Sequence, residues 1–257
     1  MDANQFLAEF GHIANAPEGV DQLRKLILRY AISGRLVENN ENEDLEDYFQ
    51  AIQEDMATEA MSRNIKVRNY SGQHSFAFPL SIPKSWKLLN LSEFVLINMG
   101  QSPKSESVSE ISKTGLPFFQ GKSEFGSLHP TPRKWCSEPK KVAVANDILL
   151  SVRAPVGPTN LAVENTCIGR GLTGITALGG TNYKYLLYVF RALEEIISAQ
   201  GVGTTFIAIS LKDVQAIPIP VPPLEEQSRI VAKVDELMAL CDQIEAQRQK
   251  SAPKRRR

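Results

Sequence analysis

Apolar residues recur at helical spacing near the start of the chain. Val20, Leu23, Ile27 and Tyr30 are three, four and three residues apart, which lines one face of a helix over 18–36. Gly34 marks its stop. A second helix is predicted over 43–62, where Leu45, Phe49, Ile52 and Met56 repeat at four, three and four. The acidic cluster from Glu41 to Asp47 sits at its first turn, where the helix dipole favours negative charge. Between about 63 and 80 the periodicity disappears, and Tyr70-Ser71-Gly72 and Phe78-Pro79 read as linker.

From Ile82-Pro83-Lys84-Ser85-Trp86 onward the pattern changes. Short apolar runs at Val142–Val144, Ile148–Val152, Leu161–Val163 and Leu172–Ala177 read as strands. One helix interrupts them, Tyr183 to Ala199, with Leu186, Leu187, Phe190, Leu193, Ile196 and Ile197 inward. The segment 217–223, IPIPVPP, holds four prolines and predicts rigid, polyproline-like backbone. A long helix follows from Leu224, roughly 39 Å if it reaches Gln249. Ile230, Val234, Leu237, Cys241 and Ile244 repeat at four, three, four and three, a heptad seam that calls for a partner helix. The proline spacer suggests that this helix projects from the core into a coiled coil, within the chain or between chains. The fold class is α+β: one globular domain plus long helices forming an antiparallel coiled coil. The divisions are 1–79, a helical region; 80–222, the globular domain; 223–250, the long helix; and 251–257, a basic tail.

Composition adds bounds. At 257 residues, 42% apolar and 23% charged, the chain can bury a real core and is not globally disordered. Its 3 cysteines, at 136, 167 and 241, form no C-x-x-C pair, which fits a reducing compartment better than a disulfide framework. The opening MDANQFLAEF has no secretory pattern, and no apolar run approaches the length of a membrane span. A soluble cytoplasmic protein is expected. Net charge is zero, but unevenly built: −6 over 1–79, +4 over 80–220 and +2 over 221–257, where the chain ends in KRRR. A basic middle beside an acidic arm suggests that the middle meets a polyanion.

Several enzymatic readings fail on spacing. Gly121-Lys122-Ser123 looks like the end of a phosphate loop, but the upstream glycine, Gly115, is one residue too early. Glu138-Pro139-Lys140 has no suitably placed upstream acid for a nuclease site. His12, His74 and His129 make no zinc spacing. Ser151 and Ser210 have no identifiable His and acid partners. No catalytic residue, metal site or cofactor is predicted.

What the middle region offers is loops suited to nucleic acid. Gln101 and Lys104 lie beside Gly100, and Gln120 and Lys122 flank Gly121. Arg133 and Lys134 are adjacent, Arg153 ends an apolar strand, and Arg170 sits between two glycines. Thr204 and Thr205 follow Gly203. Gln and Arg can pair bidentately with adenine and guanine edges, while Lys, Ser, Thr and glycine-flanked N–H groups suit phosphates. These ten residues are the candidate DNA contacts.

Several segments together resemble the specificity subunit of type I restriction-modification systems. The family's recognition domain opens with an x-Pro-x-x-Trp segment, as Ile82–Trp86 does. A Gly-x-x-Pro turn is matched by Gly100–Pro103, and a Gly-x-Pro run by Gly115–Phe119. Asn146-Asp147-Ile148-Leu149-Leu150 with trailing Arg153 and Gly157 matches a further strand. The closing Pro-rich segment is matched nearly residue for residue by Ile219–Gln227, and Leu23–Val37 is similar to the family's other helical element. The resemblance covers roughly 20–245, and the closing segment is its most specific part.

The resemblance implies a non-catalytic DNA-recognition subunit. It would direct a methyltransferase subunit and a restriction subunit to a bipartite site in double-stranded DNA, with the methyltransferase gripping the helical regions through the acidic arm at 38–55. Family members carry two recognition domains in one chain; here there is one. That implies a half-subunit acting as a homodimer, with the seam Ile230, Val234, Leu237, Cys241 and Ile244 pairing between copies. A rod of roughly 39 Å approaches the roughly 34–36 Å between half-sites one DNA turn apart. The alternatives are a standalone sequence-specific DNA-binding protein and an assembly scaffold of a truncated system.

Overall fold

The first helix forms where the apolar spacing places it. In the computed structural model, which describes residues 8, 11–16, 18–39, 45–68, 70–202 and 207–251, α1 (Gly19–Ile32) buries Val20, Leu23, Ile27, Leu28, Ala31 and Ile32. It ends at Ser33, and Gly34 follows with φ +69°, the left-handed conformation that glycine tolerates. A Cβ on Gly34 would lie 2.3 Å from Pro83 Cγ, so the end of α1 is seated directly on the segment that opens the strand-rich region. The second helix, α2 (Glu46–Ser62), starts with Glu46 and Asp47 in its first turn and buries Tyr48, Ile52 and Ala60. Phe49 and Met56 are only partly covered.

Eleven strands make three sheets among the described residues. Strands β2 (Val95–Met99), β7 (Ile148–Ser151), β8 (Thr159–Leu161) and β10 (Leu172–Ala177) form a four-stranded sheet in the order β2-β10-β7-β8. Strands β3 (Val108–Ser109), β4 (Leu116–Phe119), β5 (Lys134–Cys136), β6 (Val142–Ala143) and β9 (Thr166–Ile168) form a second sheet in the order β3-β5-β4-β9-β6. Helix α3 (Tyr183–Ala199) packs against β8 and β10, and its N-cap Asn182 side chain accepts from Lys184 N at 3.0 Å. A short helix, α4 (Leu211–Gln215), leads into the last strand.

The proline segment is a strand. β11 (Pro218–Val221) pairs antiparallel with β1 (Lys87–Asn90), Leu88 opposite Pro220 and Asn90 opposite Pro218. Alternation resolves the missing donors. Pro218 and Pro220 turn the same backbone edge away from β1, and there the Pro220 carbonyl accepts from the buried Tyr185 hydroxyl at 2.8 Å. Spacing of prolines by two thus removes donors only on the side that β1 does not use.

The long helix α5 (Leu224–Ser251) does not project from the core, which corrects the expected free seam. Ile230, Val234 and Leu237 are 0% exposed and Cys241 1%, in one cluster with Val20, Leu23 and Ile27. Ile244 packs at its edge. The two helices run antiparallel. Asn39, beyond the end of α1, donates to Glu226 Oε1 at 3.2 Å. Arg24 meets Asp242 and Glu245, each at 2.7 Å. Arg248 donates to the Ala14 carbonyl. The seam therefore closes inside the chain, because β11 folds back into the core and delivers α5 alongside α1. Ile230, Val234, Leu237 and Cys241 cannot also pair with a second copy while this packing holds.

The stretch expected as a linker is likewise fastened down. Gln215 Nε2 donates to Arg68 O at 2.6 Å, Ser75 N to Ala216 O at 2.8 Å, and Phe76, Phe78 and Leu80 pack on the core. At the end of α2, Arg63 Nη2 lies 2.9 Å from Asp147 Oδ2, whose side chain is 1% exposed and also accepts from Val144 N. One apolar cluster runs from Ala14 to Cys241, across the expected divisions at 79 and 222. Two smaller ones belong to the strand-rich part alone: Phe119, Ala143, Leu149, Ala162, Ile168 and Leu172, and Phe118 with Cys136 and Cys167. Burial, with the neighbouring Cys136 thiol adding, pushes the Cys167 thiol up to about 12.

Candidate nucleic-acid interface

Six strand ends meet at one edge of the strand-rich region. Register fixes this. Met99, the last residue of β2, is opposite Thr173 near the start of β10, and Ser151, the last of β7, is opposite Leu172. In the second sheet Phe119, ending β4, is level with Ile168, ending β9, and Phe118 faces Lys134, which begins β5. The turn Gly169-Arg170-Gly171 joins β9 to β10 and so links the two sheets at this edge.

That turn is the hub on which the loops are built. Gly100 N donates to Leu172 O at 2.9 Å, and Gln101 N to Ile168 O at 3.0 Å. Gly169 N donates to Phe119 O at 2.8 Å, and Val152 N to Gly171 O at 2.9 Å. Approach is close enough that a Cβ on Gly100 would lie 2.2 Å from the Gly169 oxygen, and one on Gly171 2.1 Å from the Gln120 oxygen. Only glycine lets three loops converge so tightly. Backbone is thereby consumed in fixed hydrogen bonds, and the side chains between the glycines are what face outward.

Gln101, Gln120, Arg153 and Arg170 are brought together by these bonds, and all four are exposed. Arg133 and Lys122 lie one step further out, just before β5 and in the turn after β4, and both are exposed. Among the described residues no carboxylate pairs with Lys122, Arg133, Arg153 or Arg170. The other two lysines differ. Lys134 Nζ is 2.9 Å from Glu110, and Lys104 Nζ is 3.9 Å from Glu106, so part of their charge is already answered. Thr204 and Thr205 lie outside the described residues.

Two further residues here are not among the ten candidates. Ser102 Oγ lies 3.5 Å from Arg170 N and bridges two of the converging loops. Lys113 sits 5.3 Å above the Trp135 ring, a cation–π contact made because the connection from β3 to β4 crosses over β5. The meeting of the loops places Ser102, and the crossover places Lys113.

The proline-rich closing segment lies elsewhere, and its buried side chains hold the fold. Gln227 is 0% exposed. Its Nε2 donates to Pro222 O at 3.0 Å and Tyr48 Oη at 3.2 Å, and its Oε1 accepts from Asn182 N at 2.9 Å. It ties α2, β11 and the start of α3 together. Those elements meet near the far end of β10 from the loop edge. No group of three His, Cys, Asp or Glu among the described residues is placed to hold a metal. No helix among them is long and apolar enough to cross a membrane.

Comparison with known proteins bears on the family and the fold. Residues 83–254 match the family model described as the type I restriction modification DNA specificity domain. A Methanocaldococcus jannaschii protein, named as a candidate specificity subunit of the MjaX type I restriction enzyme, is 42% identical over 170 residues, 65% of this chain and 39% of its own. The Escherichia coli EcoAI specificity subunit is 29% identical over 249 residues, 89% of this chain and 41% of its own. The HsdS subunit of Thermoanaerobacter tengcongensis is 35% identical, covers 95% of this chain and 52% of its own, and superposes with a TM-score of 0.58. A chain from a structure of type I R-M complex assembly and conformational transition gives 35%, 96%, 54% and 0.61. The chain thus spans about 39–41% of the length of these sequence relatives and about half that of the solved structures. With two-thirds of its residues matched by the family model, and its fold by solved members, the chain belongs to the type I restriction-modification DNA specificity family.

Proposed function

We propose that this chain is a non-catalytic DNA-recognition unit that reads one half of a bipartite site in double-stranded DNA through the loop edge. The observation that carries this reading is the convergence of Gln101, Gln120, Arg153 and Arg170 on the glycine-built turn, with Lys122 and Arg133 beside them and no carboxylate among the described residues answering the four cations. Arginine and glutamine can read base edges, and a rigid backbone holds them in register. By kinship with the specificity subunits, the chain directs a methyltransferase subunit and a restriction subunit to the site in the cytoplasm, and the exposed acidic face of α2 is the surface offered to the methyltransferase. A second recognition unit completes the bipartite site. We assign that role to a second copy of the chain, docked through a surface other than the α5 seam, which α1 already occupies.

Co-expression with the neighbouring methyltransferase subunit, followed by mapping of adenine methylation over random DNA, tests this. Two inverted half-sites at fixed spacing are expected. Two unrelated half-sites would replace the homodimer by a different second unit. A stable complex that methylates without any motif would overturn the recognition role. Within the edge, Arg153→Ala and Arg170→Ala are expected to lose selectivity, each about 1–3 kcal/mol of discrimination. Lys134→Ala should weaken all sequences alike and lower the salt slope by about 1 at most, since Glu110 already answers part of its charge.

A further inference from the structure

The sheet whose middle strands lead into Gln120 and Arg170 carries cations on both of its flanks at the loop edge. Its order is β3-β5-β4-β9-β6. Phe118 faces Lys134 on one side and Cys167 on the other, and Cys167 faces Val142. One step nearer the edge, the same register brings Arg133, Phe119, Ile168 and Lys141 level. The ladder continues there, since Ile168 N donates to Lys141 O at 3.0 Å. Arg133 and Lys134 thus stand at one shoulder of the reading turn, and Lys140 and Lys141 at the other. The second shoulder has a fixed base. The Lys140 backbone bonds to the Cys167 sulfur, and buried Asn98 Nδ2 donates to Val142 O at 2.8 Å. Lys140 is exposed and Lys141 half-buried, and among the described residues no carboxylate pairs with either.

Strand spacing decides what the two shoulders can reach. Neighbouring strands lie about 4.8 Å apart, so β5 and β6, three steps from each other, are separated by about 14 Å. The major groove of B-DNA is about 12 Å wide and admits a two-stranded ribbon. With the ends of β4 and β9 in the groove, the shoulders come down on its opposite rims, where the phosphates of the two DNA strands lie. We infer that Lys140 and Lys141 are the second arm of a phosphate clamp: they hold the backbone on one rim of the major groove while Arg133 and Lys134 hold it on the other, with Gln120 and Arg170 between. This deepens the proposed recognition role and rests on it. The clamp carries no sequence information of its own. It fixes the depth and tilt at which the middle residues meet the bases, which one charged shoulder alone would leave free to rock.

The test uses the chain with its methyltransferase subunit, a duplex bearing the half-site that the assembly methylates, and a scrambled duplex. Lys140→Gln and Lys141→Gln are expected to weaken binding to both duplexes alike. Each should lower the slope of log affinity against log salt by about 0.9, with the ratio between the duplexes unchanged. Replacing phosphates one at a time by methylphosphonate then locates the contacts. Wild type should lose affinity at phosphates on both strands, facing each other across the major groove. The Lys140→Gln, Lys141→Gln double variant should lose nothing further on one strand, and Arg133→Gln nothing further on the other. The wild-type map is made by changing the DNA, so it stands even if a protein variant folds poorly. Lys87→Gln is the control. It removes the same charge from an exposed lysine opposite Val221, next to the Pro222 that Gln227 holds, away from the loop edge. No change is expected from it.

If wild type does not distinguish the site duplex from the scrambled one, the recognition role itself fails, and the clamp with it. If it does distinguish them but the lysine variants behave as Lys87→Gln does, the clamp is overturned and the recognition role stands. The clamp is also overturned if the wild-type map shows phosphates of one strand only, or if the lysine and Arg133 variants become insensitive on the same strand. A loss confined to the site duplex would make the lysines readers of bases, which overturns the clamp as well.

Discussion

Gln227→Met separates architecture from recognition in the segment most specific to the family. Methionine roughly conserves the volume of glutamine, so the substitution removes hydrogen bonds without opening a large cavity. Three bonds disappear: two donated by Nε2 and one accepted by Oε1. Tyr48 Oη keeps its 2.6 Å contact with Thr181, so it is not orphaned. Pro222 O and Asn182 N each lose a partner in a buried setting. At about 1 kcal/mol per net bond, and somewhat more for a buried group left without a partner, the cost is about 3 kcal/mol. Urea unfolding monitored by circular dichroism measures it, read as a lower midpoint at unchanged slope. A Tyr48→Phe, Gln227→Met cycle is expected to show coupling, because the two side chains share a bond. Gln227→Glu retains the acceptor and loses the donor; its defect should shrink as pH falls and the carboxyl regains a proton to donate. The folded variant should discriminate DNA as wild type does, since Gln227 is remote from the loop edge. A loss below about 0.5 kcal/mol, or normal stability with lost discrimination, would refute the assignment of this residue to the fold.

Two further outcomes follow from the packing. Leu237→Ala should cost about 2–5 kcal/mol by creating a cavity between α5 and α1, with the sedimentation-derived oligomeric state unchanged; dissociation of a dimer at normal monomer stability would restore the intermolecular seam. Stability should also fall on the alkaline side. Burial raises the Cys167 thiol to about 12 and pushes the Tyr48 and Tyr185 phenols up. Below the unfolded values, at about pH 8 and under, thiol and phenols are neutral in both states and the contribution is fully present; above them the unfolded chain ionises first, and stability is lost as pH rises toward the folded values. Cys167→Ala should flatten the portion between about pH 9 and 11, and a wild-type unfolding midpoint that stays level across that window would contradict the burial argument.

Periodicity and close-range chemistry were legible in the sequence wherever they determine structure by themselves. The helix over Tyr183–Ala199 and the strands near Val142, Ile148 and Leu172 follow from local apolar patterns that one buried face enforces. β3, β4, β5 and β9 are not among the strand-like runs, although β6 is as short as β3; their neighbours in the sheet complete them. The glycine-flanked residues Gln101, Gln120 and Arg170 could be picked out by type, but not the fact that three glycines pin them to one turn. That requires strand register, which pairs residues some 70 positions apart, as Met99 with Thr173.

Local spacing and motif were enough for the family, the helical faces and the types of the candidate recognition residues. Tertiary structure decided what those features are for. The heptad seam asked for a partner helix, and two helices roughly 200 residues apart could supply it as readily as two chains could. Only the path of β11 back along β1 delivers α5 to α1 and closes the seam internally. Proline spacing read as a rod, yet alternation lets the same prolines sit in a strand whose donors are missing only where none are used. A local pattern states which surface must be buried; the choice of what buries it belongs to the chain as a whole.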